Sequence, residues 1–193
     1  MAIDLQWYGK KSKKSQKRTK IKMPGTTMRD SRRAPEVGLW DRMLMSYTYQ
    51  RLCAEDVQTL KELLEVFGEA FGDMDAYQSA MPRDEYLRSL LTKPHFIALA
   101  AVTGDQVVGG LVAYVLEKFE QERQEIYIYD LAVKEQHRRK GVATRLINEL
   151  RNIARERNAY VIYVQADKVD DAAIKLYESV GTKEDVFHFD IAP

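Results

Sequence analysis

The apolar residues of this chain recur with two different spacings, and these spacings predict its helices and strands. Between residues 57 and 71, and again between 141 and 157, they return every three or four positions, which is typical of amphipathic helices. Shorter runs are rich in β-branched and aromatic residues, which favours strands. These runs lie at residues 46–52, 95–102, 106–116, 126–133, 160–165 and 186–191.

Two shorter helices and a loop complete the pattern. One helix follows Pro82, and the other follows Asp170 and Asp171, whose side chains suit a helix start, and ends at Gly181. Residues 74–82 are predicted to form a loop between the first two helices.

The order of these elements predicts a sheet with mixed strand directions. The helix at 141–157 is long enough to cross over the sheet, so the strands at 126–133 and 160–165 should be parallel. The others follow one another through short connections, such as the turn around Gly104, and should be antiparallel. The sequence therefore predicts a mixed α/β (α+β) domain, with a mostly antiparallel sheet of about six to seven strands and helices on both faces.

Charge divides the chain into two parts. Residues 1–44 contain 12 Lys or Arg and 4 Asp or Glu, a net charge of +8, so the total of +1 leaves residues 45–193 at −7. The basic part has no periodic apolar face, and we expect a disordered N-terminal extension at 1–44 before a folded domain at 45–193. The extension is either a nucleic-acid-binding arm or a dispensable addition to the domain.

Cysteine content and the length of apolar runs indicate the cellular compartment of the protein. No apolar run is long enough to span a membrane, and no apolar stretch of the signal-peptide kind follows the basic residues. Cys53 is the single cysteine, so neither an internal disulfide nor a cysteine-based zinc site can form. We therefore expect a cytoplasmic protein.

A basic turn connects the strand before it to the long helix. It reads His137-Arg138-Arg139-Lys140-Gly141, so the free N–H groups of a helix start meet cationic side chains and a glycine that admits a ligand to the backbone. The turn is either a phosphate cradle or a solvated basic cap on an ordinary helix. Neither a dinucleotide-binding fingerprint nor a Walker loop occurs in the chain.

The order of residues in this turn narrows the choice. Arg138-x-x-Gly141-x-Ala143 after a strand resembles the acetyl-CoA pyrophosphate loop of the GNAT N-acetyltransferase superfamily, and the element order over residues 46–191 resembles the GNAT fold. The resemblance implies acetyl-CoA as cosubstrate and no metal. It also implies the cofactor-binding residues, namely Arg138, Arg139, Lys140, Gly141, Val142, Ala143 and Thr144 at the pyrophosphate and the backbone of Leu131, Ala132 and Val133 at the pantetheine arm.

Several segments resemble a narrower family, the type I aminoglycoside 3-N-acetyltransferases. They are residues 96–101, 125–133, 137–139, 159–167 and 188–191. The resemblance implies transfer of an acetyl group from acetyl-CoA to the 3-amino group of aminoglycosides of the gentamicin and fortimicin kind, by direct attack of the amine on the thioester, which confers resistance. It does not extend to residues 1–44.

Two side chains are candidates for the proton transfers that this reaction requires. The attacking amine must lose a proton, and the CoA thiolate leaves more readily when an acid protonates it. Tyr177 matches the tyrosine that GNAT enzymes place near the thioester sulfur, although its spacing also fits the apolar stripe of its helix. Asp130 interrupts an apolar and aromatic strand, so it is a base for the amine, a binding group for the ammonium form, or a polar residue facing outward.

Other carboxylates and the net charge bear on the substrate. Glu125, Asp167, Asp171 and Asp190 stand at strand or helix ends and are further candidates to bind a cation, although most surface carboxylates are only solvated. The charge of −7 on residues 45–193 suits a small polycationic aminoglycoside. The alternatives are a polyamine or protein-lysine N-acetyltransferase, or a CoA-binding module with a nucleic-acid-binding basic tail. We expect no membrane partner and nucleic acid at most at the tail, and the sequence leaves a homodimer open.

Overall fold

The computed structural model describes residues 46–79 and 81–193 and shows five strands and four α-helices in them. The strands are β1 (Thr48–Arg51), β2 (Phe96–Thr103), β3 (Gln106–Lys118), β4 (Arg123–Val133) and β5 (Ala159–Val164). The helices are α1 (Val57–Phe71), α2 (Asp84–Leu91), α3 (Val142–Glu156) and α4 (Asp171–Val180). A π-helix spans Asp75–Ser79, and a 3-10 helix spans Glu135–His137. The extension predicted at 1–44 lies outside the described residues.

The five strands form one open sheet in the order β1-β2-β3-β4-β5. The first three pairings are antiparallel, and β4 pairs with β5 in parallel across the connection through α3. The mixed, mostly antiparallel sheet predicted from the sequence is thereby confirmed.

The expectation of about six to seven strands is wrong for the described residues, because no strand forms at 186–191. This segment alternates like a strand, yet Phe187 and Phe189 remain 84% and 77% exposed. A strand needs a neighbour that accepts and donates its backbone hydrogen bonds, and none of the five described strands pairs with this segment. Consequently β5 is the last strand of the sheet.

Helices cover both faces of the sheet, as the sequence predicts. One face packs against α3 in a cluster that contains the fully buried Ile126 and Leu146, and α4 adds partly buried side chains to it. The other face packs against α1 and α2 in a cluster that contains Leu63 and Phe67. Each such side chain stabilises the fold by about 1.5–3 kcal/mol when it is buried, so the two clusters hold the sheet between its helical layers.

Two adjacent glycines in β3 permit close packing at the centre of the sheet. A Cβ atom on Gly110 would lie 2.4 Å from Leu63 Cδ1 of α1 and 2.5 Å from Leu99 O of β2. A Cβ atom on Gly109 would lie 2.8 Å from Ala132 O of β4. Because these distances are shorter than van der Waals contact, α1 and the neighbouring strands can approach β3 this closely only where it has no side chain.

The segment between α1 and α2 contains more regular structure than the sequence predicts. The loop expected at 74–82 is wrong in its central part, where the π-helix Asp75–Ser79 forms, and Ala80 lies outside the described residues. Tyr77 of this π-helix packs on Phe71 of α1, with ring centroids 5.8 Å apart. Through this contact the segment folds back onto α1, which brings Tyr77 to the sheet.

Candidate active site

A β-bulge decides which way Asp130 faces. In the pairing of β3 with β4, Ala113 is opposite Ile128 and Val112 is opposite Asp130, so Tyr129 is an extra residue in β4. Strict alternation would place Asp130 on the same face as Ile128, in the cluster against α3. The bulge reverses the alternation, and Asp130 lies on the face of α1 instead.

Tyr77 of the π-helix contacts Asp130 on this face. Its hydroxyl donates a hydrogen bond of 3.2 Å to Asp130 Oδ1. Burial raises the pKa of Asp130 above the usual range of a carboxyl, and the bond from Tyr77 lowers it in part. Burial and the charge of Asp130 also raise the pKa of Tyr77, so its phenol keeps the proton that it donates. Asp130 is therefore a stronger proton acceptor than a fully exposed carboxylate.

Tyrosine side chains surround Asp130. Tyr114 of β3 is opposite Tyr127 of β4, which is opposite Tyr163 of β5. The rings of Tyr127 and Tyr163 stack at 5.1 Å, and Tyr129 stands edge-on to Tyr114 at 5.8 Å. Five tyrosine side chains lie around Asp130, and we call them the tyrosine face: Tyr77, Tyr114, Tyr127, Tyr129 and Tyr163. This face is open to a ligand, since Tyr129 is 62% exposed and Tyr163 is 38% exposed.

Strands β4 and β5 separate just beyond the tyrosine face. Their ladder ends where Ile128 is opposite Val164, whereas β4 continues to Val133. On the β5 side, no strand of the described chain pairs with Leu131, Ala132 or Val133. The backbone of β4 can therefore bind an extended ligand in the gap in the manner of an added strand.

Tyr177 of α4 lies on the opposite face of the sheet, close enough to Asp130 for the charge of this carboxylate to act on it. It packs against the cluster on the α3 side, whereas Asp130 contacts Tyr77 on the α1 side. Burial and the charges of Asp170 and Asp130 raise the pKa of Tyr177 to about 12. Tyr177 is therefore a neutral phenol near pH 7 and has a proton to donate.

The turn before α3 presents backbone N–H groups outward. The first hydrogen bond of the helix runs from Arg145 N to Gly141 O at 3.0 Å. The N–H groups that precede this bond belong to Val142, Ala143 and Thr144. Gly141 has a φ of 81°, and no atom lies within 4 Å of the place that a Cβ atom would take there. A ligand can thus reach the backbone, and the positive end of the helix dipole favours an anion.

The cationic side chains of this turn have different surroundings. Arg138 Nε donates a hydrogen bond of 2.9 Å to Val133 O, so this side chain fastens the turn to the end of β4. Arg139, which has a φ of 60°, and Lys140 are both exposed. The turn therefore combines a braced arginine with two cations that face solvent beside the helix start.

His137 supports the turn from inside the protein. It is 7% exposed, and its Nδ1 lies 3.0 Å from the hydroxyl of Tyr47. Burial, together with the charges of Lys140 and Lys134, lowers the pKa of His137. This histidine is therefore neutral at pH 7 and anchors the turn rather than adding to its positive charge.

The sequence matches a known protein family whose fold agrees with this geometry. Residues 59–182 match the acetyltransferase (GNAT) family. The chain belongs to the GNAT acetyltransferase family. Its sheet with helices on both faces is the GNAT fold, as the sequence predicts. GNAT enzymes use acetyl-CoA, and two features fit this cosubstrate, namely the open approach to Gly141 and the β4 edge that β5 leaves unpaired.

Several individual proteins are similar to this GNAT chain. An aminoglycoside acetyltransferase from an uncultured soil metagenomic sample is 51% identical, with a TM-score of 0.76 over 77% of this chain and 99% of that one. A second aminoglycoside acetyltransferase from soil, solved in complex with sisomicin, is 32% identical, with a TM-score of 0.71 over 76% and 96%. N-acetyltransferase 8B of Rattus norvegicus is 28% identical over 81 residues, 42% of this chain and 36% of that protein. The chain thus spans little more than a third of this curated relative and nearly all of the two solved ones.

The other carboxylates predicted to bind substrate lie at different places around the GNAT site. Glu125 stands on β4 with its side chain 12% exposed, 3.8 Å from Lys118 Nζ, and its charge acts on Tyr163 of the tyrosine face. Asp167 is exposed in the loop after β5, and Asp171 is exposed in the first turn of α4. Of these three carboxylates, only Glu125 has a described interaction with the tyrosine face.

Asp190 reaches the tyrosine face through two other side chains. Its Oδ1 lies 3.0 Å from His188 Nε2, and His188 Nδ1 lies 2.8 Å from Gln165 Nε2. Gln165 Oε1 in turn accepts a hydrogen bond of 3.0 Å from the Tyr127 hydroxyl. Asp190 is therefore linked to the tyrosine face through His188 and Gln165.

The sequence does not mark Tyr77 or Gln165 as candidate site residues of this GNAT domain. Tyr77 lies in a segment predicted as a loop, where its one signal is an aromatic ring within a mostly polar connection. Gln165 follows the last residue of β5 and carries no charge that would single it out. Only the folded chain shows that both side chains bond to the tyrosine face.

The described part of this GNAT chain contains neither a metal-binding cluster nor a helix that could span a membrane. In residues 46–79 and 81–193, no three His, Cys, Asp or Glu side chains lie close enough together to hold a metal ion. None of the helices in these ranges combines the length and the apolar character that crossing a membrane requires.

Proposed function

We propose that this chain is an acetyl-CoA-dependent aminoglycoside N-acetyltransferase that acts on the 3-amino group of gentamicin- and fortimicin-type antibiotics and so confers resistance to them. The observation that carries the proposal is the tyrosine face, an open aromatic surface next to the partly buried Asp130. The substrate class is supported by the similarity to two solved aminoglycoside acetyltransferases.

The tyrosine face suits a cation that carries sugar rings. The faces of Tyr127, Tyr129 and Tyr163 offer flat apolar surface and attract ammonium groups. Asp130 and Glu125 add negative charge beside this surface. The net charge of −7 on residues 45–193 draws a polycation towards the domain before it binds.

Two parts of the chain would hold acetyl-CoA. The unpaired backbone of Leu131, Ala132 and Val133 would pair with the pantetheine arm in the gap between β4 and β5. The pyrophosphate would bind at the start of α3, where the residues concerned are Arg138, Arg139, Lys140, Gly141, Val142, Ala143 and Thr144. Acetyl-CoA would supply the acetyl group as a thioester. During transfer, a C–N bond forms between the acetyl carbon and the amine, and the C–S bond to CoA breaks.

Asp130 and Tyr177 move protons in opposite directions during this exchange. Asp130 binds the ammonium form of the acceptor and takes up its proton, directly or through water, so that the neutral amine can attack. Tyr177 gives its proton to the departing sulfur on the other side of the gap. Because the two residues lie on opposite faces of the sheet, the amine and the leaving thiolate are handled by different side chains.

A polyamine or a protein lysine is the second candidate acceptor. Either would bind to Asp130 and Glu125 through its ammonium groups. A linear polyamine has no ring to place on Tyr127 and Tyr163, so the tyrosine face favours the aminoglycoside. The third candidate is a CoA-binding module with a nucleic-acid-binding tail, and it leaves the hydrogen bond between Tyr77 and Asp130 beside the open tyrosine face without a task.

Thiol release from acetyl-CoA tests the proposal. Gentamicin, sisomicin, fortimicin, spermidine and a lysine-containing peptide would each be supplied to the full chain, and kcat/KM would be compared. We expect turnover with the aminoglycosides at a higher kcat/KM than with spermidine or the peptide. NMR of the product should place the new amide on the 3-amino group.

Two outcomes would contradict the proposal. A higher kcat/KM for spermidine or the peptide would show that the acceptor class is wrong. An amide on another amino group would keep the class but refute the 3-amino assignment. Asp130→Asn serves as the matched control, because it keeps the side-chain size and removes the charge that the mechanism needs.

A further inference from the structure

The turn before α3 is exposed in its middle and buried at both ends. Residues 138–141 are all exposed, whereas His137 just before them and Val142 just after them are 7% and 2% exposed. Val142 belongs to the apolar cluster on the α3 side, so apolar packing fixes the far end of the turn. A polar ring fixes the near end, and in the described part of the chain no other polar or charged side chain is buried.

Tyr47 is the hydrogen-bond partner of this buried ring. Its hydroxyl lies 3.0 Å from His137 Nδ1, and the two rings meet edge to face with centroids 5.8 Å apart. Tyr47 precedes β1 and packs against the cluster on the α3 side, so a residue 90 positions earlier in the chain supports the turn. Loss of its hydroxyl would leave the buried ring nitrogen without this bond, which costs more than the loss of an exposed hydrogen bond.

The turn needs such support because its backbone is strained. Arg139 has a φ of 60°, in the left-handed region that a residue with a Cβ atom seldom adopts, and Gly141 follows with a φ of 81°. Strain of this kind persists only where the surroundings hold the chain in place. Arg138 Nε ties the turn to Val133 O, and the buried ends supply the remaining support. The outward direction of the N–H groups at the start of α3 therefore depends on these anchors.

We propose that Tyr47 is a positioning residue for acetyl-CoA, which acts through His137 to hold the turn before α3 in the shape that binds the pyrophosphate. The proposal rests on the pyrophosphate site proposed above and is independent of the acceptor. A turn that already has its bound shape loses less binding free energy to ordering, so the anchor raises the affinity. Tyr47 itself needs no contact with the cosubstrate.

Two ligands separate this role from a general loss of structure. Acetyl-CoA carries the pyrophosphate, whereas S-acetylpantetheine has the same thioester arm and ends before it. We expect Tyr47→Phe to raise the Kd for acetyl-CoA about five- to tenfold, as expected for a lost bond to a buried group. The Kd for S-acetylpantetheine should stay unchanged. Isothermal titration calorimetry would measure the first Kd, and an NMR titration would measure the second.

Tyr49→Phe is the matched control. Tyr49 of β1 is also partly buried against the cluster on the α3 side, and its ring centroid lies 5.7 Å from the guanidinium of Arg145. Phenylalanine keeps this ring, and the described side-chain bonds of the turn do not include the Tyr49 hydroxyl. We therefore expect this variant to bind both ligands as the wild-type protein does.

Substitutions of His137 test the hydrogen bond itself. Asparagine has an amide atom near the position of Nδ1 that can bond to Tyr47, whereas leucine fills the space without a polar atom. We expect His137→Asn to bind acetyl-CoA more tightly than His137→Leu, and this difference should vanish when Tyr47→Phe is added to each. Circular dichroism and thermal unfolding would show that the variants are folded.

Several outcomes would overturn the proposal. They are an unchanged Kd for acetyl-CoA in Tyr47→Phe, an equal loss of affinity for both ligands, a loss of the same size in Tyr49→Phe, and equal affinities of His137→Asn and His137→Leu. Gly141→Val tests the pyrophosphate site itself, because its side chain covers the N–H groups directly. An affinity that falls in Gly141→Val but not in Tyr47→Phe would refute the anchor and keep the site. These measurements contain no acceptor, so the aminoglycoside proposal is tested separately.

Discussion

At the scale of single residues, burial acts on Tyr177 and Asp130 in ways that suit opposite proton transfers. It holds the Tyr177 phenol protonated, with a pKa of about 12, so the proton is present over the whole working range of pH. It raises the pKa of Asp130, which brings the proton affinity of this carboxylate closer to that of the amine that we propose it deprotonates. Burial therefore favours the acid role that we propose for Tyr177 and the base role that we propose for Asp130.

The first prediction concerns Tyr177. Tyr177→Phe keeps the ring that packs on the α3 side and removes the proton donor, so kcat should fall by about ten- to a thousandfold with little loss of stability. Steady-state kinetics with gentamicin and thermal unfolding measure the two effects. An unchanged kcat in a folded variant would leave Tyr177 with a packing role only.

The second prediction concerns Tyr77, which acts through Asp130. The bond from Tyr77 lowers the pKa of Asp130, so Tyr77→Phe should raise this pKa and move the acid limb of the pH profile of kcat/KM to higher pH. The profile would be measured for the wild-type protein, for Tyr77→Phe and for Asp130→Asn, in which the limb should disappear.

Tyr86→Phe is the matched control for this experiment. Tyr86 is 60% exposed on α2 and has no bond to Asp130, so its variant should keep the wild-type acid limb. A shift of equal size in both tyrosine variants would refute the positioning role of Tyr77.

The environment of Asp130 shows what the sequence can predict about one residue. Its type and position in a strand suffice to mark it as a candidate. The face of the sheet on which Asp130 lies does not follow from the alternation of residues, because the extra residue Tyr129 shifts the alternation within β4. Tyr77 could not be selected either, because its bond to Asp130 joins residues that are 53 positions apart.

At the scale of secondary-structure elements, the third prediction concerns the binding of acetyl-CoA at the start of α3. Gly141→Val should raise the Kd for acetyl-CoA by about tenfold or more, equivalent to about 1.4 kcal/mol, because a branched side chain covers the N–H groups that the pyrophosphate needs. Binding would be measured by isothermal titration calorimetry.

Gly72→Val controls for backbone strain in this variant. Gly72 has a φ of 68° and, like Gly141, no atom within 4 Å of the place that a Cβ atom would take, so both variants carry the same kind of strain. We expect Gly72→Val to lose stability but to bind acetyl-CoA normally. If both variants lose affinity to the same extent, strain rather than the covered backbone explains the loss.

The sequence predicts the elements that depend on neighbouring residues. It does not predict whether a strand finds a partner strand far along the chain. The helices α1 and α3 follow from apolar periodicity within about fifteen consecutive residues, and Asp170 caps α4 as expected, with a bond of 2.9 Å from Ala173 N. A strand at 186–191 needs an edge to pair with, and the alternation of its residues carries no information about that edge.

At the scale of the whole molecule, the fourth prediction concerns the basic residues 1–44 and the acidic residues 45–193. Removal of residues 1–44 should leave kcat/KM with gentamicin within about twofold, because every proposed binding or catalytic residue lies between 77 and 190. The truncated and full chains would be compared by thiol release at low and high salt. A loss of most turnover in the folded, truncated protein would show that the basic residues complete the site.

The tyrosine face also gives this domain an optical property. Trp7 and Trp40, the two tryptophans of the chain, both precede residue 45, whereas ten of the 11 tyrosines follow it, Tyr8 being the exception. A chain that begins at residue 45 therefore emits tyrosine fluorescence with no tryptophan emission to obscure it. Six of its ten fluorophores are Tyr177 and the five rings of the tyrosine face. The proposed acceptor site thus carries its own spectroscopic reporter, and we expect the arrival of an antibiotic to change this emission without any label.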